Sequence, residues 1–237
     1  MKDSDFFDRN VKFYDQDIID FDYWMLNFLE KEYKNKQHFK LLDVGGGSGK
    51  FVKLVLKHFP NVACTVLDPS KKLLEKIHDP KIKKIEGKIP NDFKISSKYN
   101  IVHIKEVLHH ITGNSVSESE KLIKESLNLI ENSLTDDGLL MIHELFYEGF
   151  IFSKLPSYLI FYTLKTQNKF KINLPIEEFL LGLNVYFYTR NDLHKIISDC
   201  GFEIKYVYVE DFSNTWKKKL LLLKDWGRIL IICKKSH

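Results

Sequence analysis

An α/β architecture, a doubly wound and mostly parallel sheet of seven strands with helices on both faces, follows from three features of the 237-residue chain. From residue 39 onward, short β-branched or apolar runs alternate with helical patterns, the arrangement that builds a parallel sheet between two helical layers. The first run passes directly into a glycine-rich turn, Gly45-Gly46-Gly47-Ser48-Gly49, that opens a helical pattern. With 44% of its positions apolar, a chain of this length has enough side chains for one large core, so residues 1–237 read as a single domain.

Ahead of the sheet, Ile18, Phe21, Trp24, Met25, Phe28 and Leu29 recur at helical spacing and predict an amphipathic helix over 17–34, within an N-terminal helical cap of residues 1–38. Strands are predicted over 40–44, 62–67, 82–86, 99–104 and 138–143, with two more over 203–209 and 227–233. The clearest helices between them are 50–58, 70–77, 117–133 and 190–199. The last has Thr189 or Asn191 as its cap and Gly201 as its terminator.

Composition excludes several classes of function. The apolar run Phe150 to Leu164 is broken by Ser153, Lys154, Pro156 and Ser157, and falls short of the roughly 20 residues a membrane span requires. The opening MKDSDFFDRN is acidic and has no apolar stretch of the secretory kind, so a cytoplasmic location is expected. Cys64, Cys200 and Cys233 show no metal-type spacing, and neither disulfides nor a metal centre is expected. The formal charge of +4 rests almost wholly on lysine. Arginine occurs only at Arg9, Arg190 and Arg228, which argues against a nucleic-acid partner.

The chemistry concentrates in Leu41-Leu42-Asp43-Val44-Gly45-Gly46-Gly47-Ser48-Gly49-Lys50. Glycines let the chain turn sharply and bring backbone against a ligand, because no Cβ intervenes. A dinucleotide loop would carry its third glycine at position 50, where this chain has lysine, and the string of a phosphate-binding loop is missing. Twenty-five residues on from Asp43, Val66-Leu67-Asp68-Pro69-Ser70 closes the second strand with a carboxylate able to accept hydrogen bonds from two adjacent hydroxyls.

Asp43, Gly45, Gly47 and Gly49 match, position by position, motif I of the class I S-adenosylmethionine-dependent methyltransferases, which the chain resembles over about 39–145 and more loosely to the end. The resemblance implies a Rossmann-like methyltransferase fold with S-adenosyl-L-methionine as cofactor and S-adenosyl-L-homocysteine as product. Gly45, Gly46, Gly47 and Gly49 would lie beneath the cofactor's amino-acid moiety, with Asp43 organising the loop. Asp68 and Pro69 would meet the ribose, and Lys105 would complete the set from the fourth strand. One departure stands out. After the third strand such enzymes often carry Gly-Asp for the adenine amino group, whereas here Glu86-Gly87-Lys88-Ile89 puts lysine in that place. The adenine contact is therefore expected from the backbone of Lys88 and Ile89, or from Asn91 or Asp92.

The acceptor belongs beyond the carboxyl ends of the fourth and fifth strands, at Lys105-Glu106-Val107-Leu108-His109-His110 and His143-Glu144-Leu145-Phe146. The Asp/Asn-Pro-Pro-aromatic string of nucleobase methylators is missing, and the segment does not look like that of aminopropyltransferases. Leu108-His109 instead resembles small-molecule O-methyltransferases. That likeness implies His109 as general base and Glu144 as the group that orients it; a histidine there also reads as a structural, hydrogen-bonded group.

Against such enzymes, residues 146–188 look like an inserted lid, helical near 155–164 and carrying twelve aromatic side chains, among them Phe150, Phe152, Tyr158, Phe161, Phe170, Phe179 and Tyr186. These aromatics form either the lid's own core or the wall of a hydrophobic acceptor pocket. The N-terminal segment, with Phe13, Tyr14, Phe21 and Trp24, is expected to close over the same cleft. Trp216-Lys217-Lys218-Lys219-Leu220-Leu221-Leu222-Leu223-Lys224 reads as a connection between the last two strands or as a peripheral contact with an anionic membrane. The function expected is methyl transfer to a small hydrophobic metabolite, with O-methylation favoured over N- or C-methylation. The alternatives are a non-catalytic cofactor-binding module or partner subunit, and a nicotinamide-dependent reductase.

Overall fold

The computed structural model describes residues 3–15, 17–34, 38–94, 97–172, 182–213 and 215–236. In chain order the elements are α1 (Asp3–Arg9), α2 (Val11–Tyr14), α3 (Asp20–Tyr33), β1 (Lys40–Val44), α4 (Lys50–His58), β2 (Ala63–Asp68), α5 (Lys71–Glu75), β3 (Ile82–Glu86) and β4 (Tyr99–Lys105). A short 3₁₀ turn over Leu108–His110 leads to α6 (Val116–Ser133), β5 (Leu134–Gly149), α7 (Leu155–Phe170), α8 (Arg190–Asp199), β6 (Phe202–Asp211), α9 (Thr215–Leu220) and β7 (Leu223–Lys235).

The seven strands lie in the order β3-β2-β1-β4-β5-β7-β6. The first five are parallel, and β7 runs antiparallel to both β5 and β6. The order reverses between β1 and β4, where Asp43 sits opposite His103, and a crevice opens there beyond the strand ends.

Alternation along β1 shows how the two layers are held. Leu42 and Val44 pack with Ile123 and Leu127 of α6 and Ile197 of α8, whereas Leu41 packs with Met25 and Leu29 of α3 and Val52 and Val55 of α4. Each such side chain, fully buried, contributes roughly 1.5–3 kcal/mol of burial free energy, which makes both faces of the sheet strongly specified. A third cluster joins Phe6, Tyr147, Ile160, Leu164, Leu183 and Trp226 at the end of the sheet where the crevice opens.

The fifth strand is far longer than the predicted 138–143. Its extension through Gly149 pairs with β7, down to Gly149 opposite Leu223, and the buried Glu144 and half-buried Glu148 conceal it from any apolar pattern. The predicted 17–34 helix begins at Asp20, because the Asp22 carboxylate accepts the Ile19 N–H at 2.8 Å and fixes the start. Within the span 1–38, read as a helical cap, α1 and α2 precede α3, and α9 is a helix that the apolar pattern does not predict.

Residues 146–172 and 182–188 are woven into the fold. Phe146 bridges to Tyr188, and Tyr186 and Tyr188 join the main core while Phe187 joins the third cluster. α7 starts with Pro156 in its first turn, where no helical N–H is needed, and buries Ile160, Phe161 and Leu164. Phe179 lies outside the described residues. Among the described residues no helix is long and apolar enough to cross a membrane.

Candidate active site

The turn after β1 is shaped by what its glycines touch. Gly45 has φ +69°, and a Cβ on it would sit 2.2 Å from Val107 Cγ2, so the β1 turn and the segment after β4 meet without side-chain space between them. Gly47 has φ +53°, yet a Cβ there would meet nothing nearer than Leu73 Cδ1 at 3.6 Å. That is ordinary van der Waals contact, so the turn packs under α5 and the N-terminal segment without a clash while Gly47 lines the cavity. Beneath the turn, the buried Asp43 sets Oδ1 at 2.7 Å from His103 Nδ1, while its Oδ2 lies under Gly46 with no hydrogen-bond partner among the described residues.

Asp68 closes β2 and is tied to that turn. Its Oδ2 accepts the Gly47 N–H at 2.9 Å, and its Oδ1 accepts the Ser70 N–H at 2.8 Å. A carboxylate offers about four acceptor positions, so each oxygen keeps capacity for one further donor. Burial pushes the Asp68 carboxyl up to about 6, against the lowering effect of the two backbone N–H groups; the charges of Asp43 and Asp8 add to the rise.

The turn and Asp68 form one wall of a cavity of about 790 Å³. Gly87, Lys88, Ile89, Pro90 and Asn91 line another part of it, with the Asp92 carboxylate accepting the Lys88 N–H at 3.1 Å. Pro69 and Lys105 also line the cavity. The Lys105 ammonium, however, is paired at 2.7 Å with the fully buried Asp22 of α3, so its charge is committed to holding α3 on the sheet.

Across the cavity, Glu144 on β5 is fully buried and satisfied from several sides. Its Oε2 accepts the Leu108 N–H at 2.8 Å and the His109 N–H at 3.4 Å, while its Oε1 accepts the Leu145 N–H at 2.7 Å and lies 2.5 Å from His109 Nδ1. Nε2 is then the ring nitrogen left to the cavity, which His109 lines beside Phe187, stacked at 5.1 Å. Burial disfavours charge on His109, but the Glu144 charge and hydrogen bond, with Glu106 behind them, hold the imidazole above its ordinary value. The neighbouring His110 is pushed well below its ordinary value by burial and by His109. The remaining wall is largely apolar, from Phe7, Leu145, Tyr147 and Val185, with Lys165 and Lys217 also present.

The N-terminal segment supplies groups that pattern reading missed. Asp15 accepts from Ser48 Oγ at 2.6 Å and pairs with Lys50 and, at 2.6 Å, with Lys76. Asp8 accepts from Ser70 Oγ at 2.6 Å. Two carboxylates thus hold α1 and α2 over the glycine turn and the start of α5, and Phe6, Phe7 and Tyr14 come to line the cavity. Ser70, a serine before a helical run, was the one legible sign, since its Oγ caps α5 by accepting the Leu73 N–H.

Residues 42–140 match the family model described as a methyltransferase domain. The norreticuline-7-O-methyltransferase of Papaver somniferum is 33% identical over 104 residues, which are 41% of this chain and 28% of that protein; the chain therefore matches well under half of its curated relative's length. Among solved structures, coclaurine N-methyltransferase bound to N-methylheliamine and S-adenosylhomocysteine is similar at a TM-score of 0.61, with 14% identity, over 90% of this chain and 70% of that one. The mitomycin 7-O-methyltransferase is similar at 0.54, with 13% identity, over 84% and 49%. At such identities these two likenesses are ones of fold.

Proposed function

We propose that the chain, whose residues 42–140 match a methyltransferase-domain family model, transfers a methyl group from S-adenosylmethionine to a hydroxyl of a small hydrophobic acceptor and releases S-adenosylhomocysteine. The observation that carries this reading is the hydrogen bond from Gly47 to Asp68, which joins the turn and the acid in the wall of the same cavity that holds His109. The residues present fit the cofactor: a turn of Gly45, Gly46 and Gly47 lining the cavity, unused acceptor capacity on Asp68, and a volume within the range of small-ligand sites, roughly 300–1,000 Å³.

In this reading the Gly45–Gly49 backbone takes the amino-acid portion and Asp68 accepts the ribose hydroxyls. Asn91 and the Lys88–Ile89 backbone take the adenine edge that a lysine at 88 leaves without a carboxylate. The bound cofactor supplies a sulfonium methyl open to direct displacement. His109 Nε2 removes the acceptor's hydroxyl proton, and Glu144 keeps the ring aimed and stabilises its charged form. The apolar wall excludes water and holds the acceptor in line, an effect of proximity that supplies roughly 7–11 kcal/mol. Methylation of oxygen is favoured by this histidine–carboxylate pair and by the 33% identity to the poppy O-methyltransferase.

Calorimetric titration with S-adenosylmethionine and S-adenosylhomocysteine, followed by methyl-transfer assays over phenols, alcohols and amines, tests the reading. Cofactor binding with S-adenosylhomocysteine release in the presence of a hydroxyl acceptor supports it. Binding without turnover on any acceptor points to the non-catalytic module, and no binding at millimolar cofactor removes the assignment.

A further inference from the structure

At the carboxyl end of β5 the chain exposes three consecutive large apolar side chains. Phe150, Ile151 and Phe152 are 78%, 76% and 69% exposed, the highest values of any large apolar side chains among the described residues. The Phe150 N–H donates to Leu222 O at 3.1 Å, which sets this turn beside the residues preceding β7, where Trp216, Leu220 and Leu222 are also at least half exposed. Within 216–225 the sequence places Lys217, Lys218, Lys219 and Lys224 against a single carboxylate, Asp225. Asp225 lies 3.9 Å from Lys218 and 4.0 Å from Lys224, too far to neutralise either fully.

The patch is continuous with the cavity. Lys217 lines the cavity with its ammonium 4.2 Å from the centre of the Trp226 ring, and Tyr147, which also lines it, lies on β5 just ahead of the exposed turn. Whatever covers the patch therefore lies against the acceptor end of the cavity.

From this arrangement we propose that Phe150–Phe152 and Trp216–Lys224 dock on an anionic lipid surface. Apolar side chains at a tip, flanked by lysines, match a bilayer interface: the aromatics enter the headgroup and acyl boundary while the ammonium groups meet lipid phosphates. A protein partner fits less well, because the centres of protein interfaces are depleted in lysine. A second copy fits poorly too, since a two-fold contact would set this lysine cluster against itself.

Sedimentation with vesicles tests the proposal without cofactor or acceptor, so its outcome is separate from that of the methyl-transfer reading. The protein is expected to pellet with phosphatidylcholine vesicles containing phosphatidylglycerol, less so as salt is raised, and weakly with phosphatidylcholine alone. The triple variant Phe150→Ser, Ile151→Ser, Phe152→Ser should lose partitioning by roughly tenfold or more, and Lys218→Gln with Lys219→Gln and Lys224→Gln should remove the salt-sensitive part. All six side chains lie outside the buried core, so thermal melts of both variants should match the parent. The proposal is overturned if the parent stays in the supernatant, if the serine variant pellets equally, or if light scattering shows a dimer that the serine substitutions dissociate.

Discussion

His109 Nδ1 lies 2.5 Å from Glu144 Oε1, and the other oxygen of that carboxylate accepts the backbone N–H groups of Leu108 and His109. One buried side chain therefore fixes both the turn and the ring it carries. In the proposed reaction His109→Ala is expected to lower turnover by about 10² to 10⁴ while cofactor affinity stays nearly constant. An unchanged turnover number removes the ring from the mechanism.

The same pair sets a pH dependence. Glu144 holds the imidazole above its ordinary value of 6.5, and only the neutral ring accepts a proton, so turnover should climb as pH rises beyond that value. Glu144→Gln keeps the shape of the side chain and removes its charge, which should move the climbing limb to lower pH. A kcat–pH profile of the two proteins decides this, and coincident limbs count against the positioning role.

Asp68 gives a second, separable titration. With its carboxyl at about 6, ionised Asp68 is available to ribose hydroxyls at neutral pH and is lost to protonation as pH falls through that value. Cofactor affinity should then weaken by up to about tenfold per pH unit below it, and Asp68→Asn should bind more weakly with a flat profile. Titration calorimetry from about pH 5 to about pH 8, a span that brackets the Asp68 value, is the measurement.

Gly45 and Gly47 should separate folding from binding. Gly45→Ala drives a Cβ to 2.2 Å from Val107 Cγ2 at a positive φ, and is expected to destabilise the protein by about 1–3 kcal/mol, read from urea midpoints. Val107→Ala should relieve the steric part in a double-mutant cycle. Gly47→Ala carries the strain of a positive φ but no such clash, so it should destabilise less than Gly45→Ala while weakening cofactor binding.

Asp15 is held at about 2: burial opposes its charge, but hydrogen bonds from Lys76 and Ser48 and the charge of Lys50 outweigh it. Because its value in the folded chain is depressed, its stabilising effect is fully present above the unfolded value near 4, declines below it, and is gone once pH has fallen through about 2. The N-terminal strap should accordingly stay closed in mild acid. Asp15→Asn should open it at neutral pH, with faster amide exchange over 3–15 and little change in β1 or β4; equal exchange rates in both proteins would show that the ion cluster does not hold the strap.

The parallel sheet and the glycine turn were legible because both are written locally, in period-two apolar runs and in residues that permit positive φ. Asp68 was legible as an acid closing a strand, and the hydrogen bond to Gly47 joins two features that the sequence shows only separately. The Asp43–His103 pair was not, since a histidine inside Ile101–Ile104 acquires a partner only through the register of β1 against β4. Lys105 was assigned to the cofactor on its place in the chain, but its ammonium turns to Asp22, on a helix 83 residues earlier. The first two helices carry no periodic signal long enough to read. They are held by Asp8 and Asp15, whose partners lie far away in sequence.

Because β7 lies between β5 and β6, the sheet is closed from its middle by a strand that leaves the ribosome after both of its neighbours. Until residues 223–235 emerge, β5 presents an unpaired edge that includes the buried Glu144, and β6 has no neighbour at all. Nascent chains halted before residue 223 should therefore bind chaperones that recognise exposed strand edges.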